Sequence, residues 1–130
     1  MLISRALAMI ASAVLFLGIA TGARATATDS ALLQGLDKIT ARVFRLQAPV
    51  DRPIRFGALT IVLRYCDLAP PEDPPESKAF LEITERRAGE APVPVFSGWM
   101  FASSPALSPL EHPVYDIRLL ACTDLTAPPQ

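Results

Sequence analysis

The first 25 residues constrain everything downstream of them. Arg5 supplies a charged start, residues 6–20 form an apolar run, and Ala23-Arg24-Ala25 is an A-x-A cleavage site. Residues 1–25 therefore read as a secretory signal peptide cleaved after Ala25. The run is short of the ~20 residues a spanning helix needs, and no stop-transfer charges follow it. No cysteine lies near the cleavage site, which argues against a lipoprotein. Two consequences follow for the fold. The most hydrophobic segment is removed, so the overall 51% hydrophobic content overstates the core. The remainder also folds outside the reducing cytoplasm, which changes what its cysteines mean.

Residues 26–130 are enough for one domain with a modest core. Of the 12 basic residues, Arg5 and Arg24 leave with the leader, so 10 face 13 acidic ones and the net charge is −3. That balance gives no reason to expect nucleic acid as a partner. The charge is uneven, however. Lys38, Arg42, Arg45, Arg52, Arg55 and Arg64 come first, and Asp67, Glu72, Asp73, Glu76, Glu82, Glu85 and Glu90 follow. This predicts either pairing between strands or a dipolar surface that orients a partner.

Cys66 and Cys122 are even in number and exported, so a disulfide is expected. Closing so long a loop is worth about 4 kcal/mol in the chain-entropy model. No C-x-x-C suggests redox chemistry, and only His112 could join the cysteines at a metal; no metal or cofactor is expected. Both cysteines end strand-like runs. Their bond fits strands running the same way, or a staple between two sheets or at a loop.

Along the chain, residues 26–35 read as a flexible lead-in, 36–123 as a single β domain and 124–130 as a tail. Ile39, Ala41 and Val43 alternate with Lys38, Thr40 and Arg42, a period of two that predicts one half-buried strand ending at Pro49. Residues 59–66 are the clearest strand, with Leu59, Ile61, Leu63 and Tyr65 on one face. Residues 67–77, with two Pro-Pro pairs among acids, predict a solvated loop. Residues 78–87 and 93–101 predict a hairpin. Ser104-Pro105 and Ser108-Pro109 predict single helical turns within a long loop, and residues 114–122 the last strand. No long helix is expected. The fold class is all-β, a small disulfide-stapled sandwich or barrel of about five to seven short strands.

No catalytic constellation stands out. His112 with Asp116 and a serine lacks the G-x-S-x-G elbow, and Glu82 and Glu85 lie three apart on a strand, on opposite faces. The most distinctive stretch is Phe96-Ser97-Gly98-Trp99-Met100-Phe101, in a chain with 7% aromatic residues. Alternation cannot bury Trp99, Met100 and Phe101 together, so at least one points outward or the strand bulges at Gly98. The candidate partner-binding residues are Trp99, Met100, Phe101, His112 and Tyr115.

The run from Phe96 to Cys122, with Gly35-Leu36-Asp37-Lys38-Ile39-Thr40-Ala41, Arg55-Phe56-Gly57-Ala58-Leu59, Cys66 and Glu76-Ser77-Lys78-Ala79-Phe80-Leu81, resembles a family of exported proteins of Gram-negative bacteria, domain of unknown function 2155. The resemblance implies the periplasm, two cysteines in a compact domain and no assigned activity. It also implies a protein partner in the envelope, with an accessory subunit on the periplasmic side of respiratory complex I as the concrete version. A non-catalytic binding or accessory protein is the expected function; no nucleic acid and no small-molecule ligand is inferred. An envelope-polymer hydrolase and a cell-wall or outer-membrane binding module are the alternatives.

Overall fold

The computed structural model describes residue 18 and residues 22–125. The expected signal peptide lies outside the described residues except for residues 18 and 22–25, as does the tail beyond residue 125. Eight strands follow one another: β1 (Thr26–Ala27), β2 (Ser30–Asp37), β3 (Arg42–Pro49), β4 (Ile54–Phe56), β5 (Leu59–Leu68), β6 (Ser77–Glu85), β7 (Val93–Phe101) and β8 (Tyr115–Thr123). Six of them have eight or more residues, within the expected range. A single 3-10 turn, Pro105–Leu107, interrupts the last long loop, with Pro105 opening it as one Ser-Pro pair predicts, while Ser108-Pro109 starts no turn.

The strands form two sheets. The larger runs β1-β5-β6-β7, with β4 also on β5, and the smaller runs β3-β2-β8; every paired strand is antiparallel. Leu59, Ile61, Leu63, Ala79, Leu81, Ile83 and Met100 of the larger sheet meet Ala31, Leu33, Ala48, Ile117 and Leu119 of the smaller in one buried core. The fold is thus a sandwich. Cys66 on β5 is bonded to Cys122 on β8, with Cα atoms 5.6 Å apart across the two sheets. Of the arrangements the sequence allowed, the inter-sheet staple is the one adopted.

Three expectations are corrected. Residues 26–35 are not a flexible lead-in: Ser30–Asp37 is the central strand of the smaller sheet, and Ser30, Ala31 and Leu33 are fully buried. The single strand expected through Lys38 and Val43 is a hairpin. Asp37 ends β2 by accepting the N–H groups of Ile39 and Thr40 at 2.9 and 3.2 Å, and Ala41 turns the chain at φ 56°. The third correction concerns β5. Its register with β6 shifts between Leu63 and Tyr65, so Tyr65 points to solvent and Cys66 to the core, the reverse of strict alternation.

The sheet edges are treated unequally. The outer edge of β5 is covered in turn by β4, by a bridge from Val50 to Leu63, and by β1. β7 carries Pro94, and the loop after it runs back beside β8, from Ser77 at one end of the sandwich to Glu85 at the other. On the opposite side no described segment covers β3.

Candidate interaction surface

On the solvent face of the larger sheet, Tyr65 is opposite Phe80 and Phe80 is opposite Trp99. The bulge in β5 brings Tyr65 into this row. Its rings meet edge to face, 6.0 Å from Tyr65 to Trp99 and 5.4 Å from Phe80 to Trp99. Trp99 remains 38% exposed and Tyr65 40%. The Lys78 ammonium lies 5.5 Å from the centre of the Trp99 ring and 3.7 Å from the buried Asp67 carboxylate. Partial burial, with the Asp67 carboxylate nearby, pushes the Tyr65 phenol up. Beside the row Arg64 bridges Asp51 at 2.9 Å and Glu82 at 3.1 Å, and these carboxylates raise the guanidinium further. The ring positions are therefore fixed by register, by mutual packing and by one cation.

The five candidate residues do not share one surface. Met100 is 4% exposed and fills the core, because it alternates with Trp99. Trp99 and Phe101 point the other way, Phe101 partly covered. His112 is also buried and is part of the loop's own scaffold. Its Nδ1 accepts the N–H groups of Val114 and Tyr115 at 3.0 and 3.2 Å. Its Nε2 faces the Glu85 carboxylate at 3.3 Å. Both ring nitrogens are thus engaged by the fold. Burial raises the Glu85 carboxyl, but the hydrogen bonds from His112 and Arg87 outweigh it and hold the group below its ordinary value.

The same loop is pinned at its start by Glu76. That carboxylate accepts the N–H groups of Ser77 and Ser103 at 3.0 Å each, and the Ser103 hydroxyl. Burial raises Glu76, and these bonds more than reverse it. Lys38 Nζ donates to the His112 carbonyl at 2.8 Å, and Leu110 is buried. The Trp99–Tyr115 segment therefore divides into an exposed aromatic strand and a loop that closes one side of the sandwich.

Tyr115 belongs to a second aromatic cluster, at the corner where β3 and β4 part. Phe56 meets Phe44 and Tyr115 edge to face, each at 5.5 Å, and the His112 ring lies 5.2 Å from Tyr115. Two glycines make the approach possible. A Cβ at Gly35 would stand 2.8 Å from the Phe56 ring, and one at Gly57, where φ is +56°, would collide with the Tyr115 hydroxyl. That hydroxyl accepts the Ala58 N–H at 3.2 Å. Beside the cluster a cleft of about 360 Å³ opens between Phe44, Leu46, Phe56 and Tyr115, with Asp37 and Arg55 also lining it. Sequence reasoning missed Tyr65, Phe80, Phe44 and Phe56 as surface or cleft residues. The register bulge hid the first, and the unrecognised hairpin hid the placement of Phe44.

The family model described as "Uncharacterized protein conserved in bacteria (DUF2155)" matches residues 31–122. An uncharacterized protein of Rickettsia prowazekii (strain Madrid E) is 35% identical over 89 residues, which cover 67% of this chain and 56% of that relative. The chain thus spans a little over half the length of that curated relative. No solved structure matches it.

Proposed function

The chain belongs to the DUF2155 family of uncharacterized bacterial proteins, and on that premise we propose that it is a non-catalytic binding module that docks a protein partner through the solvent face of its larger sheet. The observation that carries this reading is the in-register row Tyr65–Phe80–Trp99, held partly exposed while Met100 between Trp99 and Phe101 serves the core. A rigid, half-covered tryptophan beside a tyrosine and a cation suits a protein–protein anchor: the rings lose little freedom on binding and bury much area. The compartment is the periplasm, reached by the leader and consistent with the Cys66–Cys122 bond. An accessory role on the periplasmic side of a respiratory membrane complex is the concrete version, resting on family resemblance.

The two alternatives receive less support. A serine hydrolase would need a His112 nitrogen facing a serine hydroxyl, and its nitrogens instead face the Val114 and Tyr115 amides and the Glu85 carboxylate. A cell-wall or outer-membrane binding module gains no support from a flat aromatic platform, since the Tyr65 and Phe80 rings stand at 76–77° to Trp99. The test is affinity purification from envelopes in mild detergent, comparing the native chain with Trp99→Ala. A defined protein partner captured by the first and lost from the folded second is expected. Equal capture by both would refute the anchor.

A further inference from the structure

A second surface, distinct from the aromatic row, is built on the smaller sheet. Edge strands present unpaired N–H and C=O groups, and proteins ordinarily blunt them. Here β4, Val50 and β1 cover β5, Pro94 interrupts β7, and Pro105, Ala106 and Pro109 of the returning loop lie alongside Asp116–Arg118 of β8. β3 is left with eight residues, its outward backbone groups unbonded to any described residue before Pro49.

The side chains of β3 add selectivity to that open edge. Phe44 and Leu46, two apart on its inner face, form one wall of the 360 Å³ cleft, and Phe44 is 41% exposed there. Arg45 lies between them in sequence and points to the outer face, opposite Gln34. A strand added to β3 keeps the period of two, so every second side chain enters the cleft while its neighbours lie beside Arg45. Arg45 and Arg55 take part in no ion pair among the described residues, whereas Arg64 and Arg87 do, and Arg42 stands opposite Asp37 in the β2–β3 register. Asp37, the carboxylate in the cleft lining, already has Oδ1 taken by the Ile39 and Thr40 amides.

We infer that the free edge of β3 and the cleft beside it form a strand-addition site for an extended acidic segment of another protein, with a large apolar side chain seated against Phe44, Leu46, Phe56 and Tyr115. Main-chain bonds to β3 supply affinity, and the cleft and arginines supply specificity. A second copy of this chain fits poorly in the register that overlaps residues 42–48, since it sets Arg45 against Arg45.

The test pans random peptides displayed on phage against the oxidised protein. Expected enrichment is for Asp or Glu alternating with Leu, Ile or Phe. The best peptide should slow amide exchange at alternate β3 residues, and its affinity should fall about tenfold or more in Arg45→Glu and in Phe44→Glu. Both positions are exposed, and circular dichroism verifies the fold; the exchange experiment on the native chain decides the matter without either variant. No enrichment, a neutral or basic consensus, equal binding by folded Arg45→Glu, or protection away from β3 would each overturn the inference. So would self-association of the peptide-free protein through this edge.

Discussion

The protein carries two triads of aromatic rings, built alike and placed differently. Tyr65, Phe80 and Trp99 meet edge to face at 5.4 and 6.0 Å on the outside of the larger sheet; Phe44, Phe56 and Tyr115 do so at 5.5 Å in the corner between the sheets. The outer triad is set by strand register with one bulge in β5, because three neighbouring strands then place its members opposite one another. The corner triad needs two glycines, a turn at positive φ, a buried histidine and a carboxylate to assemble. Phe56 is 8% exposed, Trp99 38%. Equal ring geometry thus serves two ends: the corner triad closes the core, and the outer one is displayed. A chain of this size has few large side chains to spare for display, which is why we read the outer row as functional.

This difference can be strained from several directions. The largest effect lies outside both triads. The disulfide holds the sheets at the end of β8 opposite Tyr115. Replacing both cysteines by Ala should lower the unfolding free energy by about 4 kcal/mol in urea titrations, leaving the corner triad as the main clasp. Phe56→Ala removes the ring that both corner partners touch, and a loss of about 3 kcal/mol is expected by the same measurement. Gly57→Ala should cost about 2 kcal/mol through positive φ and the displaced Tyr115 hydroxyl, read as a lowered midpoint with Trp99 fluorescence unchanged in the native state.

Acid should reach the corner before the row. Glu85 in the corner titrates below its ordinary value, because hydrogen bonds outweigh burial, and Glu76 at the other end of the loop does the same. Their contribution is therefore fully present above the unfolded carboxylate range and is lost as pH falls through the folded values. The melting temperature should drop across that window, with the amide signals of Val114 and Tyr115 moving and the Trp99 indole signal steady. Glu85→Gln should flatten the drop.

How far the chain could be read from its residues varied with the physics. Strands backed by strict alternation, such as residues 78–85 with Ala79, Leu81 and Ile83 inward, were legible because a period of two needs only local information. The inter-sheet disulfide was among the arrangements open to two strand-end cysteines. The hairpin at residues 38–41 was not legible. Lys38, Thr40 and Arg42 continue the alternation straight through a turn that uses an Asp side chain and an Ala at φ 56° in place of glycine. The bulge before Tyr65 inverts a face without any compositional mark. The buried role of His112 depends on Glu85, 27 positions earlier, and such a partner shows only in three dimensions.

The smallest predicted effect bears most directly on the account, which holds that Trp99 is displayed rather than structural. Urea denaturation of Trp99→Ala decides it. Two cross-strand aromatic contacts are lost, so a decrease of about 1 kcal/mol with an unchanged m-value is predicted. A decrease of about 3 kcal/mol or more, the range of a core ring, would contradict it.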